Sequence, residues 1–597
     1  MRRPRAALLF LWLCLALPRT AHAAPDYLTA LQTRARAEAL SRDAFWHRLL
    51  HYRTNWRGQL RSQADGPGFF LAADGASDPE AELQADLAAF FAPDPPEPDA
   101  EHPQCAFPAR YAWLKGRLGF DPTRLPERAC ADYDVWRATM DPSGVTLVFA
   151  SAFLNAPASM YGHTFLRFDR KRYANVDLLA NVVSYTASMT PVNPVVYTWK
   201  GLTGGFPGVF QALPYYVKVH EYSDLESRDL WEYHLDIPDG GMTWMLRHIW
   251  ELDHTHFNYY FFDENCAYHI LSLLEVGRPD LHLLDAFPTI TIPVDTLRAV
   301  VDAPGLVKRR TLRRAHTAVM QAQLDHLASG ERRLARDLVL DLAGNPLPDV
   351  VALPAERRGQ VLDAAQSYFQ YAYGADLLGA EPEAVDPTRR QRGVALMQAR
   401  SDVPVRVETV APPDVLPPER GHRSSRIGLQ AGAAGPRPFL QVSARIALHD
   451  LLDRQAGYTP DSALEMAALT LRLHAPEPGG DPLDVEAADL FRITSLTPAT
   501  AVVRMPSWRV ALGWGRPPDK VCSGWRCGAA MLTGGPGWAG ANHLLGHQVY
   551  YAFLDAALAA GPALGRGHRT SLAANVGLLW QWSEAWRLHV EGGATYP

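Results

Sequence analysis

A chain of 597 residues exceeds what a single hydrophobic core holds, so roughly two to four domains are expected. Its net charge of −6, with 20% charged and 10% aromatic residues, excludes both a nucleic-acid binder built on a basic surface and a disordered chain. The first 23 residues read as a secretory signal peptide: a basic start through Arg5, an apolar run from Ala6 to Leu17, and a small-x-small cleavage site at Ala21-His22-Ala23. Cys14 lies inside that run without the small residues of a lipobox, and no later segment is long and apolar enough for a membrane helix. The mature protein is therefore expected in an oxidising compartment.

Residues 24–135 form a helical module. From Leu28 to Leu50, Leu31, Ala35, Ala39, Phe45 and Leu49 recur at roughly helical spacing, and Pro93, Pro95, Pro96 and Pro98 make a stiff connector. Cys105 and Cys130 flank a short helical stretch, and Cys522 and Cys527 flank Ser-Gly-Trp-Arg, so each pair is placed to form a disulfide. Removing Cys14 with the signal peptide leaves an odd set, and Cys266 is its natural unpaired member. A free thiol in an exported protein is a liability unless it is buried or used.

A catalytic domain is expected over residues 136–300. Gly144–Ala150 alternates as a strand; Gly162–Asp169 follows as a second, with His163, Phe165 and Arg167 on one face. His163, behind a glycine that permits close backbone approach, is a candidate general base, and a satisfied structural histidine is the plainer alternative. Leu178–Ala187 reads as a neighbouring strand that brings Asn181, Ser184 and Tyr185 near it, and either Ser184 or Asn181 is a candidate to orient the imidazole. The glycine-rich stretch Gly201–Gly208 reads as a loop able to cover a cleft. In NYYFFDENCAYHILSLLE, Asn265 caps a helix that opens at Cys266, with Ile270, Leu271, Leu273 and Leu274 as its buried stripe. The helix start is expected to lower the thiol pKa, and its N–H groups are expected to steady an oxyanion. A competing reading of the same stretch is a zinc site of His254, His256, Cys266 and His269, against which stands the aromatic run between the two pairs.

Three blocks in this order, GHTFLRFD, LPYYVKVHEYSDLESRDLWEYHL and YYFFDENCAYHILSLLE, resemble the Lnb N-terminal periplasmic domain family, itself similar to the permuted papain-like enzymes of the NlpC and lecithin retinol acyltransferase type. The resemblance implies Cys266 as nucleophile, His163 as base, and a lipoprotein N-acyltransferase moving a fatty acyl chain onto an amino group. No cofactor and no metal are expected. A cell-wall peptidase or amidase of NlpC type, and a non-catalytic transport or assembly protein, are the alternatives.

Residues 301–400 read as a helical connector, in which the basic cluster Lys308–Arg314 is either a solvated helix face or a site for lipid headgroups or the acidic edge of a partner. Beyond about residue 401 the pattern changes: Leu440, Val442, Ala444 and Ile446 alternate with polar residues, as do Trp508–Trp514, Leu572–Trp580 and Trp586–Val590. One apolar face with aromatics toward the strand ends is the signature of an antiparallel membrane β-barrel, of about ten strands here and incomplete, and a soluble sandwich is the alternative. The chain thus reads as a multidomain protein of the outer membrane, with its α+β papain-like domain in the periplasm. Its expected partners are a phospholipid or lipoprotein substrate and the outer membrane, with no nucleic acid.

Overall fold

The computed structural model describes residues 23–596 apart from Trp56, 96–100, 155–159, 174–175, 189–192, His254, 345–346, 380–385, 435–436, 476–481, 501–504 and 517–526. The expected signal peptide, but for Ala23, lies outside the described residues, as does Cys522. The chain divides into two compact units, residues 1–138 with 246–257 and residues 139–245 with 258–597.

The first unit is mainly helical. Its expected stripe from Leu28 to Leu50 is split: the first helix ends at Ala37, Ala39 takes a left-handed φ of 51°, and Asp43 caps a new helix, Ala44–Leu49, by accepting from the Phe45 N–H. Leu31, Ala35, Trp46 and Leu49 are buried all the same. Cys105 and Cys130 form the expected disulfide. Arg110 sits fully buried among Glu82, Asp86 and Glu251, so a guanidinium, rather than more apolar surface, ties these helices together.

The second unit opens with a seven-stranded antiparallel sheet in the order 257–259, 206–214, 181–187, 163–170, 142–150, 230–235, 307–313. Near-continuous apolar burial at Val145, Leu147, Val148, Phe165, Leu166 and Phe168 marks strands covered on both faces. The helix Cys266–Gly277 covers one face, against strands 163–170 and 181–187, and it is buried along its whole length. The basic cluster is not on a helix: Val307–Arg313 is the edge strand beside Leu230–Leu235, and Lys308, Arg310, Arg313 and Arg314 pair with Asp236, Glu419, Glu232 and Asp229. Charged edge strands of this kind discourage further strand addition. Five helices from His316 to Ser401 then pack around Met320, Leu338, Val361 and Leu396.

Nine strands from Arg426–Ala434 to Arg587–Tyr596 each pair antiparallel with the next. They do not close: strands 426–434 and 587–596 are the two edges, so among the described residues the expected barrel is an open sheet. Alternation is clear nonetheless. Arg509, Asp555, Asn575 and Glu591 bond one another on one face, while Leu554, Val576 and Val590, at 60%, 65% and 54% exposure, stand on the other.

Candidate active site

The site forms where the seven-stranded sheet splits. Strand 163–170 pairs with 181–187 only from Phe165↔Ser184 to Phe168↔Asn181. Past that point the first strand continues against 142–150, ending at Ala150↔His163, and the second against 206–214, ending at Ala187↔Gly208. Into this fork points the start of the cysteine helix. Asn265 caps it as expected, its Oδ1 accepting from the Ala267 and Tyr268 N–H groups, and its amide donates to the carbonyls of Thr291 at 2.7 Å and Phe261 at 3.2 Å. The stretch 201–208, expected as a loop over a cleft, is instead the end of the helix Pro194–Thr203 and the start of the strand Phe206–Pro214, and it seats the segment ahead of the cap: the Phe261 N–H donates to Gly201 O, and a Cβ on Gly201 or Gly204 would strike the rings of Phe261 or Tyr260.

Cys266, 2% exposed, is the free thiol among the described cysteines. Cys527 is disulfide-bonded. The sulfur is approached by the backbone N–H of Thr164 at the fork, by the Tyr259 hydroxyl and by the Ala267 N–H, with the Arg228 charge nearby. All of these favour the thiolate, but burial outweighs them and pushes the thiol pKa up rather than down. The expected lowering by the helix start is thus reversed. The helix-start donors are also engaged, since the Cys266 N–H donates to Tyr259 Oη at 3.4 Å and the next two go to Asn265.

His163 sits at the strand end after Gly162, whose φ of +89° and close packing on the Phe149 ring admit no side chain. Its Nε2 lies 3.1 Å from the Ser184 hydroxyl, which is fully buried. Burial, reinforced by the charges of Lys218 and Arg228, holds the imidazole pKa well below its ordinary value, so the ring is a neutral base. Among the described residues no hydrogen bond joins the imidazole to the sulfur. They are linked indirectly: Thr164, the residue after His163, directs its N–H at the sulfur, and Tyr222 has its ring 5.6 Å from that of His163 while its hydroxyl feels the Cys266 charge. Nucleophile and base are commonly looser than contact until substrate arrives.

Asn181 is not part of this constellation. It pairs with Phe168, five positions along the strand from His163 and roughly 16 Å away at strand rise, and its amide donates to Thr139 O. Of the two candidates for orienting the imidazole, the register places Ser184 there. The proposed zinc set does not assemble either: His254 lies outside the described residues, and among those described no three His, Cys, Asp or Glu side chains are grouped to hold a metal. His269 instead packs on the Tyr185 ring at 4.3 Å, where burial pushes its pKa down to about 3.

Three residues at the site escape the sequence reading. Tyr259 reaches the thiol from the preceding strand, steadied by Tyr185 stacked at 5.6 Å. Arg228, 2% exposed, donates to Ala150 O and Ser151 O and so fixes the strand end opposite His163. Tyr222 lies in a π-helical turn, His220–Leu225, under Arg228 and Lys218. All three lie in the blocks that carry the resemblance, Tyr222 and Arg228 in the second and Tyr259 at the start of the third.

Among the described residues no helix is long and apolar enough to cross a membrane. No curated protein and no solved structure matches the chain. Residues 38–117 and 416–597 match two domains of unknown function, DUF7843 and DUF7840. Residues 132–303, which carry Cys266, His163 and Ser184, match the Lnb N-terminal periplasmic domain, in support of the resemblance and of a periplasmic or exported protein.

Proposed function

We propose that this protein is an exported cysteine acyltransferase that forms an acyl-thioester on Cys266. The observation carrying this reading is a buried free thiol at a capped helix start, facing the Thr164 N–H and the Tyr259 hydroxyl, beside a neutral imidazole held by Ser184. His163 takes the thiol proton as sulfur attacks an ester carbonyl; the C–S bond forms, the ester C–O bond breaks, and the imidazolium returns its proton to the leaving alcohol. The Tyr259 hydroxyl stabilises the oxyanion between these events. An amine then attacks the thioester and the thiol is regenerated. Neutral partners suit a dry site, because neither group is stored as a buried charge.

The donor in this reading is a membrane lipid and the acceptor a lipoprotein amino group, as the family resemblance implies. The C-terminal sheet supports it: side chains such as Leu554 and Val576 stand exposed on one apolar face, which suits anchoring in the outer membrane. Cell-wall hydrolysis would instead call for a polar cleft. The test is transfer from phospholipid vesicles to a diacylated lipopeptide amine. Cys266→Ala is expected to abolish it with protein level and melting temperature preserved; persistence of transfer would refute the reading.

A further inference from the structure

A cavity of about 610 Å³ lies within the second unit, between the His163 end of the seven-stranded sheet and one end of the nine-stranded sheet. We propose that it is the binding site of a lipid acyl chain, entered from the membrane at the level of the headgroups. This inference rests on the acyl-transfer reading for its purpose but not for its test.

Three observations carry it. The first is continuity with the candidate active site. Neither His163 nor Cys266 lines the cavity, but Phe149, Tyr161 and Arg228 do. Phe149 packs against the Gly162 backbone, Tyr161 lies two residues before His163, and Arg228 holds the carbonyl of Ala150, the strand partner of His163. Arg228, whose charge acts on Cys266, is thus shared by the cavity wall and the candidate site.

The second is composition and size. Much of the wall is apolar, with Trp231, Val294, Leu416 and Leu448 prominent, and the volume falls within the roughly 300–1,000 Å³ of small-molecule sites. The charged groups that border it are already satisfied: Arg228 bonds Glu226, and Arg314 bonds Asp229. Most of what remains to be filled is apolar space.

The third is placement. The strand connections at 450–461, 496–506, 543–546 and 582–586 all fall at one end of the nine-stranded sheet, because successive antiparallel strands return there. The first two supply cavity residues, among them Tyr458, Thr459 and Pro498. The last two carry aromatics at the same end: Trp538, Tyr550 and Trp580 stand on the apolar face, and Trp582 stacks on Trp586 in the final turn. Amphipathic rings gathered at one level of an apolar face mark the membrane–water interface. The cavity mouth is therefore level with lipid headgroups, and an acyl chain enters it without crossing water.

Full-length Cys266→Ala protein, reconstituted in phosphatidylethanolamine vesicles containing a phospholipid with a diazirine on one acyl chain, tests this without requiring chemistry. Photolysis and peptide mapping are expected to place adducts on the stretches around Phe149, Leu416 and Leu448. Leu416→Trp, at a position 42% exposed and so tolerant of a larger ring, is expected to cut those adducts about tenfold by filling the space. Adducts confined to the outer apolar face of the sheet, or unchanged by Leu416→Trp, overturn the proposal. Failure of the wild type to form an acyl-enzyme would remove the acyl-transfer reading and leave this result as it stands.

Discussion

Tyr259 sets the character of the thiol more directly than the helix start does. Its hydroxyl accepts from the Cys266 N–H and hydrogen-bonds the sulfur, so its removal takes away a group that favours the thiolate. Tyr259→Phe is expected to raise the Cys266 pKa further, seen as an alkaline shift in the pH profile of iodoacetamide alkylation, and to slow acyl transfer by about 10²-fold through the lost oxyanion donor. The same logic places the acid limb of kcat/KM. Because the imidazole pKa is held below its ordinary value, His163 stays neutral and competent below pH 6.5, and activity is lost only as pH falls through that lowered value. An acid limb at or above the ordinary imidazole value would contradict the buried, positively flanked setting of His163. The sequence shows Cys266, His163 and Asn265 because each stands in a local pattern. It does not single out Tyr259 from the run Tyr259, Tyr260, Phe261 and Phe262, where only the fold decides which ring meets the sulfur.

The strand register decides the third member of the constellation. Ser184 and Asn181 lie three residues apart on one strand, and both are small, polar and chemically able to orient an imidazole. Only the pairing Phe165↔Ser184 places the serine diagonally across from His163. Ser184→Ala is expected to lower kcat by roughly tenfold or more while leaving KM nearly unchanged. Asn181→Ala, which loses one exposed bond to Thr139 O, is expected to cost about 1 kcal/mol in thermal melting and nothing in kcat. Equal effects of the two on kcat would mean that Ser184 acts only through packing. The basic stretch at 308–314 illustrates the opposite limit of local reading. Five cations in seven residues suggest a solvated helix face, yet Val307–Arg313 is a strand because acidic residues on neighbouring segments neutralise it there.

Across the whole molecule, alternation in residues 426–596 was legible strand by strand, and closure was not. Closure depends on whether the two edge strands meet, which no local pattern encodes, and the described strands leave both edges open. The two-sided character of the sheet survives that correction. Leu554→Arg would place a charge at the centre of the apolar face, directly across from Ala574 and opposite the Asp555 side. In a bilayer this is expected to destabilise by about 2–4 kcal/mol, and in water by nearly nothing. Urea titration of the protein in lipid vesicles, against the same variant in detergent-free buffer, separates the two.

The central claim is that Cys266 carries the acyl group. Purified full-length protein incubated with phospholipid vesicles and no amine acceptor, then digested and mapped by mass spectrometry, is predicted to show one fatty acyl group on the peptide containing Cys266. Neutral hydroxylamine should remove that group, and Cys266→Ala should lack it. An unmodified Cys266 peptide under conditions in which the lipopeptide amine is acylated would contradict the account.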